Sequence, residues 1–306
     1  MKTGKTVGMM AGMILAWSVY YTVSKLMVDA TGSAYAAGFL LRSFALVFLT
    51  VQLLADGSFR RLLRQGRAAK LLLLIGCFGF LLDLFANLGY AGGSLSTGTA
   101  LLKTDVLMVN LVTVLVLGKR LRAADWLGTG IMLLGVLLVL GVDFSGLRFS
   151  PTDLFFLASA ACVTANAFLI KRAQTQYRAE TDAISYYNNF VVLVLFALST
   201  LLRGDLKGLD TGRLPGFWPL AALGGLAQTL IYFFYYRNLK AHEVWVVKLW
   251  LLLMPVVSCC IGVVFLRESL TPWKLVGIAV VLLGAGVILL RGKPHREKTA
   301  LQEENL

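Results

Sequence analysis

Six ionisable side chains stand inside stretches that are otherwise apolar: Lys25, Arg42, Asp83, Lys103, Asp105 and Lys248. A charge at the centre of a spanning helix costs roughly 2.5–3.5 kcal/mol on insertion scales, so a chain that keeps several has a use for them. Three kinds of chemistry are open to such groups: recognition of an opposite charge, proton exchange at the carboxylates, and pairing with one another. Ser96, Thr99, Lys103 and Asn110 recur at intervals of three, four and seven, which makes one polar stripe on a continuous helix. Asp105, two residues beyond Lys103, then points about 200° away, toward a different neighbour. Further on, Trp245 lies three residues before Lys248 and Pro255 seven after it. A proline there frees a backbone carbonyl and bends the helix. Gln228 and Tyr232, with Tyr20, Tyr21, Tyr235 and Tyr236, supply hydrogen-bonding and stacking walls. The candidate substrate-binding set is thus Lys103, Lys248, Asp83, Asp105, Arg42, Thr99, Asn110, Gln228, Tyr232 and Trp245. Asp83, the lone carboxylate of its stretch, is also the first candidate for a proton-responsive group.

Catalytic chemistry has little to work with. The two histidines, His242 and His295, fall in a loop and in the tail, and the sequence holds no paired-histidine metal motif and no phosphate-cradling glycine loop. Cys77, Cys162, Cys259 and Cys260 all lie within apolar stretches and read as small packing residues. The expectation is a non-enzyme with no metal and no cofactor.

The elements that must position these groups are long apolar helices. The 306 residues are 58% hydrophobic and 15% charged, with a mean hydropathy of +0.77. The charges are clustered, leaving runs of about 20 apolar residues, the length that crosses hydrocarbon at 1.5 Å per residue. Spans are predicted at 8–29, 34–55, 71–90, 96–118, 124–142, 153–170, 183–202, 217–236, 243–265 and 273–290. Short joins carry turn chemistry, as at Asp56–Gly57, Ser150–Pro151 and Thr271–Pro272. The net charge of +13 does not point to nucleic acid, because the basic residues sit in the gaps between spans and form no continuous face. Of the 29 lysines and arginines, 19 fall on the side of the first residue and 6 on the other, which predicts both termini in the cytoplasm of a multi-pass protein of the inner or plasma membrane. Met1–Val7 reads as the start of a retained first helix.

The chain also resembles itself. At a shift of 149 residues Gly128, Leu133, Leu134 and Gly135 fall on Gly277, Leu282, Leu283 and Gly284, within a matching loop-plus-helix unit. The four glycines read as close-packing positions. The expected fold is an all-α integral membrane protein with ten transmembrane helices as two inverted five-helix repeats, 1–145 and 150–292, followed by a cytoplasmic tail at 293–306. Inverted repeats hold substrate near the midplane between the halves.

The run LGYAGGSLSTGTALLKTDVLMVNLVTVLVLGKRLRAADWLGTGIMLLG, and YYRNLKAHEVWVVKLWLLLMPVVSCCIGVVFLRESLTPWKLVGIAVVLLGAG in the second half, resemble the drug/metabolite transporter (DMT) superfamily, EamA type. The resemblance implies ten helices, two inverted repeats and a central cavity, and leaves a broad choice of small substrates. Pro255 and Glu268 keep the pattern in the second half, while the first half departs from it at Val106 and Lys119.

Taken with the charges, this predicts a secondary transporter that exports or exchanges a small charged or zwitterionic metabolite, amino-acid-like or another organic anion, by alternating access (metabolite efflux or exchange). The in-span charges sum to about +2, which favours a substrate with a carboxylate or phosphate. The partners are that metabolite and the lipid bilayer; a proton or counter-substrate and a second copy of the chain are further candidates, nucleic acid is not. Two other readings stay open on sequence alone: a non-transporting sensor or scaffold, and a channel or lipid scramblase. So do bland uses of the charges, with lysines snorkelling to the headgroups and carboxylates neutralising Arg42 or a lysine.

Overall fold

The computed structural model describes residues 3–59, 62, 68–92, 101–139, 151–205, 216–254, 256–257 and 272–291. Among these the chain is helical throughout, with ten α-helices: α1 (Thr3–Thr31), α2 (Ala34–Ala55), α3 (Ala69–Gly92), α4 (Asp105–Leu115), α5 (Ala123–Val139), α6 (Pro151–Thr175), α7 (Thr181–Arg203), α8 (Phe217–Ala241), α9 (Val244–Trp250, continued as a 3₁₀ turn over Leu251–Leu253) and α10 (Pro272–Arg291). Apolar runs of this length take the one open-chain conformation that satisfies every backbone donor and acceptor within the segment. Local chemistry sets the ends. Ser33 caps α2, its hydroxyl accepting from the Tyr35 and Ala36 N–H groups, and Gly204 ends α7 at φ +70°, a conformation that costs glycine nothing.

Six helices are long and apolar enough to cross a membrane: Thr6–Thr31, Ala34–Ala55, Ala69–Gly92, Thr152–Thr175, Thr181–Arg203 and Phe217–Ala241. These match the expected spans within a few residues. The other four are shorter; the fourth span corrects the sequence reading, and the ninth shows the disturbance expected of its proline. The fourth span, expected as continuous over 96–118, is broken by a turn at Lys103–Thr104, so that α4 begins at Asp105. There the Thr104 hydroxyl donates to the Leu101 carbonyl (2.7 Å), and the Val106 N–H reaches back only to the Lys103 carbonyl (3.2 Å). A side chain competing for backbone partners interrupts the ladder that apolar periodicity alone would continue. In the ninth span, the carbonyl of Leu251 would normally receive the N–H of residue 255, which is proline and has none. The Met254 N–H takes it instead, tightening the last turn to 3₁₀. Pro255 itself, Ser96, Thr99 and the tail at 293–306 lie outside the described residues.

The long helices build one body. α3 packs on α6 and α1 on α8; α2 lies against α7 and α8, and α7 against α2 and α3; α4 packs on α9 and α6; α5 packs along α10. The α5–α10 crossing is reciprocal. A Cβ on Gly135 would stand 2.6 Å from the Val281 nitrogen and 2.9 Å from the Gly277 carbonyl; one on Gly284 would stand 2.8 Å from the Met132 nitrogen and 2.9 Å from the Gly128 carbonyl. Only hydrogen fits at either position, because what fills the space is backbone. Large apolar side chains such as Val47, Val51, Leu54, Leu134, Leu282 and Leu283 stay exposed on the outer faces. This pattern is that of a multi-pass membrane protein, whose outer surface meets hydrocarbon.

Candidate functional site

Two buried charge centres lie inside the bundle. The first joins α2 to α3. Arg42 donates to Asp83 Oδ2 through Nε (2.7 Å) and again through Nη2, and Tyr20 of α1 donates to the same oxygen (3.0 Å). Arg42 Nη1 donates to the Tyr232 hydroxyl of α8 and, at 3.4 Å, to Asn189 Oδ1 of α7; Asn189 Nδ2 returns a bond to the Arg42 carbonyl (3.0 Å). The guanidinium lies between the rings of Tyr20 and Tyr232, 5.9 and 5.7 Å from their centroids. Burying an ion pair is tolerable only when the remaining donors and acceptors are satisfied, and here five helices satisfy them.

A cavity adjoins this centre, lined by Trp17, Arg42, Asp83, Asn166, Asn188 and Gln228 among others, with about 380 Å³ of atom-free space, part of it open to the outside. It extends from the middle of the bundle toward the end that holds the start of α1, since Ile170, Asn188 and Tyr236 line it and lie near the matching ends of α6, α7 and α8. Toward the opposite end Tyr90 packs against Phe156 (centroids 5.2 Å apart), and at mid-height Phe80 packs against Phe196 (4.8 Å).

The second centre joins α4 to α9. Lys248 Nζ donates to Asp105 Oδ2 at 2.8 Å, with Lys248 1% and Asp105 5% exposed. Lys103, 4% exposed, has no carboxylate within ion-pair distance among the described residues. Its Nζ lies 3.7 Å from Met254 Sδ and 6.0 Å from the centre of the Tyr21 ring. Lys248 lies 5.4 Å from the centre of the Tyr235 ring. Thr164 of α6 donates to the Asp105 carbonyl (3.3 Å), while Asp105 Oδ1 and Asn110 Oδ1 are buried without a hydrogen-bond partner among the described residues. Trp17 connects the two centres: its ring contacts Tyr20, which bonds Asp83, and also Tyr21 and Tyr235, which face the two lysines.

The structure therefore divides the expected residues. Arg42, Asp83, Gln228 and Tyr232 meet at the cavity; Lys103, Asp105, Asn110 and Lys248 are buried around the break before α4. Thr99 lies outside the described residues, and the Ser96–Asn110 stripe does not run along one regular helix, because the turn at Lys103–Thr104 resets the phase. Trp245 does not line the cavity; it packs, half-buried, between two apolar clusters. Snorkelling does not describe Lys103 or Lys248, which point into the bundle. Nor are they an equivalent free pair, since Lys248 is held by Asp105. Lys25 is tied to Asp29 (2.7 Å) and to the Tyr90 carbonyl (2.9 Å). Trp17, Asn166, Asn188 and Asn189 were not singled out by the sequence. Adjacent amides at 188 and 189 in an apolar run were the available signal, since a neutral amide in hydrocarbon also demands partners.

Comparison with known proteins gives a consistent picture. The sequence pattern of the EamA-like transporter family matches the chain twice, over residues 4–141 and 150–290. A curated relative, the uncharacterized transporter YwfM of Bacillus subtilis (strain 168), is 27% identical over 187 residues, which is 60% of this chain and 60% of that protein's length. A protein crystal structure with 20% identity covers 94% of this chain and 97% of its own, with a TM-score of 0.74, and shares the fold.

Proposed function

The chain belongs to the EamA-like transporter family, and on that premise we propose that it carries a small charged or zwitterionic metabolite, amino-acid-like or another organic anion, across the bilayer by alternating access. Its relatives are membrane transporters, not enzymes. The observation that carries the proposal is the pair of buried charge centres linked through Trp17 beside a cavity that reaches toward the end holding the start of α1. Substrate would enter between the halves from the end holding the start of α1 and meet Gln228 and Tyr232 on one side and Lys103 on the other.

Ten crossings in two inverted five-helix repeats are part of the same proposal. Exchanging the halves (α1 with α6, α2 with α7, and so on) turns the α3–α6 contact into α8–α1 and the α2–α8 contact into α7–α3. It also turns the Gly135 approach to Gly277 into the Gly284 approach to Gly128. Packing that survives this exchange supports two equivalent units, and an odd number of helices per unit inverts the second. With both termini in the cytoplasm, the open end faces inward and the ring-packed end outward, the arrangement expected of a carrier waiting for a cytoplasmic substrate. Cysteines placed at Ser94 and Lys207 should react with an impermeant thiol reagent from outside, and one at Arg64 should not; the reverse pattern overturns the orientation.

The transport reading is tested with purified protein in proteoliposomes. A metabolite library is first screened for ligands that raise thermal stability, because a ligand that binds the folded state stabilises it. The hits are then followed as labelled compounds into vesicles. Gradient-dependent uptake that saturates is expected, and binding without any flux would favour a sensor.

A further inference from the structure

The second centre holds two cations and one carboxylate, and its geometry defines what it can select. We propose, building on the transport reading, that Asp105 is a resident competitor for the substrate's anionic group, so that the centre around Lys103 and Lys248 selects ligands bearing a single negative charge. Asp105 occupies Lys248 through Oδ2 alone (2.8 Å), leaving Oδ1 buried without a hydrogen-bond partner among the described residues. Among the described residues Lys103 makes its contacts with the Met254 sulfur and the face of Tyr21 and has no carboxylate within ion-pair distance. Among the described residues the charged and titratable groups facing Asp105 are Lys103 from the turn before α4, Lys248 from α9, and the Tyr21 and Tyr235 rings from α1 and α8; α6 contributes the neutral Thr164. The local sum is +1. A monoanion settling on Lys103 brings it to zero, whereas a dianion leaves an uncompensated negative charge in a dry site, where a unit charge is costly.

The backbone points the same way. α4 starts at Asp105, and its positive dipole end favours an anion close to Lys103. Asp105 answers that demand while the site is empty. An arriving carboxylate shares the same donors, so the two lysines and the helix end can redistribute between two carboxylates without either being stranded. The residue that sets the substrate's charge is then the acid, whose removal should strengthen anion binding.

The test uses the purified full-length protein and four probes at pH 7.5: lactate and benzoate as monoanions, malonate and phthalate as dianions, read by thermal shift and calorimetric titration. Wild type should respond to a monoanion in preference to its matched dianion. Asp105→Asn should bind monoanions more tightly and move the preference toward the dianion by roughly tenfold or more, the scale of one added charge at this range. Lys103→Gln should lose the response, and Lys103→Gln with Asp105→Asn should regain monoanion binding, because Lys248 is released to serve. That double variant has one buried lysine without a carboxylate, as wild type has, and so keeps the test alive if the single Asp105→Asn protein does not fold. A folded double variant that stays silent overturns the proposal, as does an unchanged charge preference in Asp105→Asn, a wild type that responds to none of the four probes, or failure of both variants to fold, which would make the Lys248 pair purely structural. Gradient-dependent flux in wild type alongside any of these results leaves the transport reading standing; absence of flux of every metabolite removes that reading itself.

Discussion

Arg42–Asp83 and Lys103–Asp105–Lys248 are built from the same kinds of group, yet one is closed and the other is not. Around Arg42 every neighbour is a partner: a carboxylate, two phenols and an amide from four other helices, with no net charge left over. Among the described residues Lys248 pairs with one carboxylate beside the Tyr235 ring, and a second lysine stands near it without a carboxylate within ion-pair distance. The contrast teaches that burial alone does not mark a charge as functional. A saturated pair holds helices in register, whereas a surplus charge has something to offer a ligand.

The largest expected effect breaks the closed centre. Arg42→Ala strands a buried carboxylate and should cost about 3–5 kcal/mol, seen as a collapse in the yield of monodisperse protein. A double replacement, Arg42→Met with Asp83→Leu, should recover much of that yield. If instead Asp83→Asn stays folded and changes the pH dependence of transport, the first centre is also a coupling site and the contrast fails.

Next comes the open centre. Lys103→Gln should express and melt close to wild type, or slightly above it, since an ammonium without a carboxylate partner has been removed from the interior, yet transport should fall to background. Lys103→Arg should restore it only in part, because a planar fork does not replace a compact ammonium. Normal flux with Lys103→Gln would move the substrate contact to the cavity at Arg42.

A smaller effect is expected at the helix crossing. Gly135→Ala and Gly284→Ala each push a methyl into backbone at 2.6–2.9 Å, and each should lower stability by about 1–3 kcal/mol, by similar amounts for the two. Unequal costs would argue against two equivalent units. The smallest effect belongs to Lys119–Glu243, a half-exposed pair at 2.7 Å near the cavity's open end; removing it should change stability by ~0–1 kcal/mol, and less at high salt.

Most of the fold was legible because the apolar runs are long and their period is helical. Six spans were placed within about five residues, and the shift of 149 picked out the glycines that meet in space. The fourth span was misjudged where short-range chemistry, the Thr104 hydroxyl, competes with periodicity; in the ninth the disturbance expected from Pro255 is seen in the turn before it. For the site, counting charges within spans found Arg42, Asp83, Lys103, Asp105 and Lys248 among the buried ions of the described residues, and missed the buried Asp125 at the start of α5. Their partners could not be counted, because Arg42 meets Asp83 and Asp105 meets Lys248 across helix faces whose rotation depends on those same irregular turns. The amides at 166, 188 and 189 escaped because they carry no formal charge, although they line or brace the cavity.

The reciprocal glycine crossing also bears on how the molecule is made. Gly284 follows Gly135 by 149 residues, so α5 leaves the ribosome long before the helix whose backbone it must touch. Until α10 arrives, the groove at Gly135 meets lipid or an insertion chaperone. Closure of the bundle is thus a late event in biogenesis. Premature stop codons ahead of α10 should leave a protein that inserts and is then cleared by membrane proteases, and the missing segment supplied as a separate peptide has a ready-made place to dock.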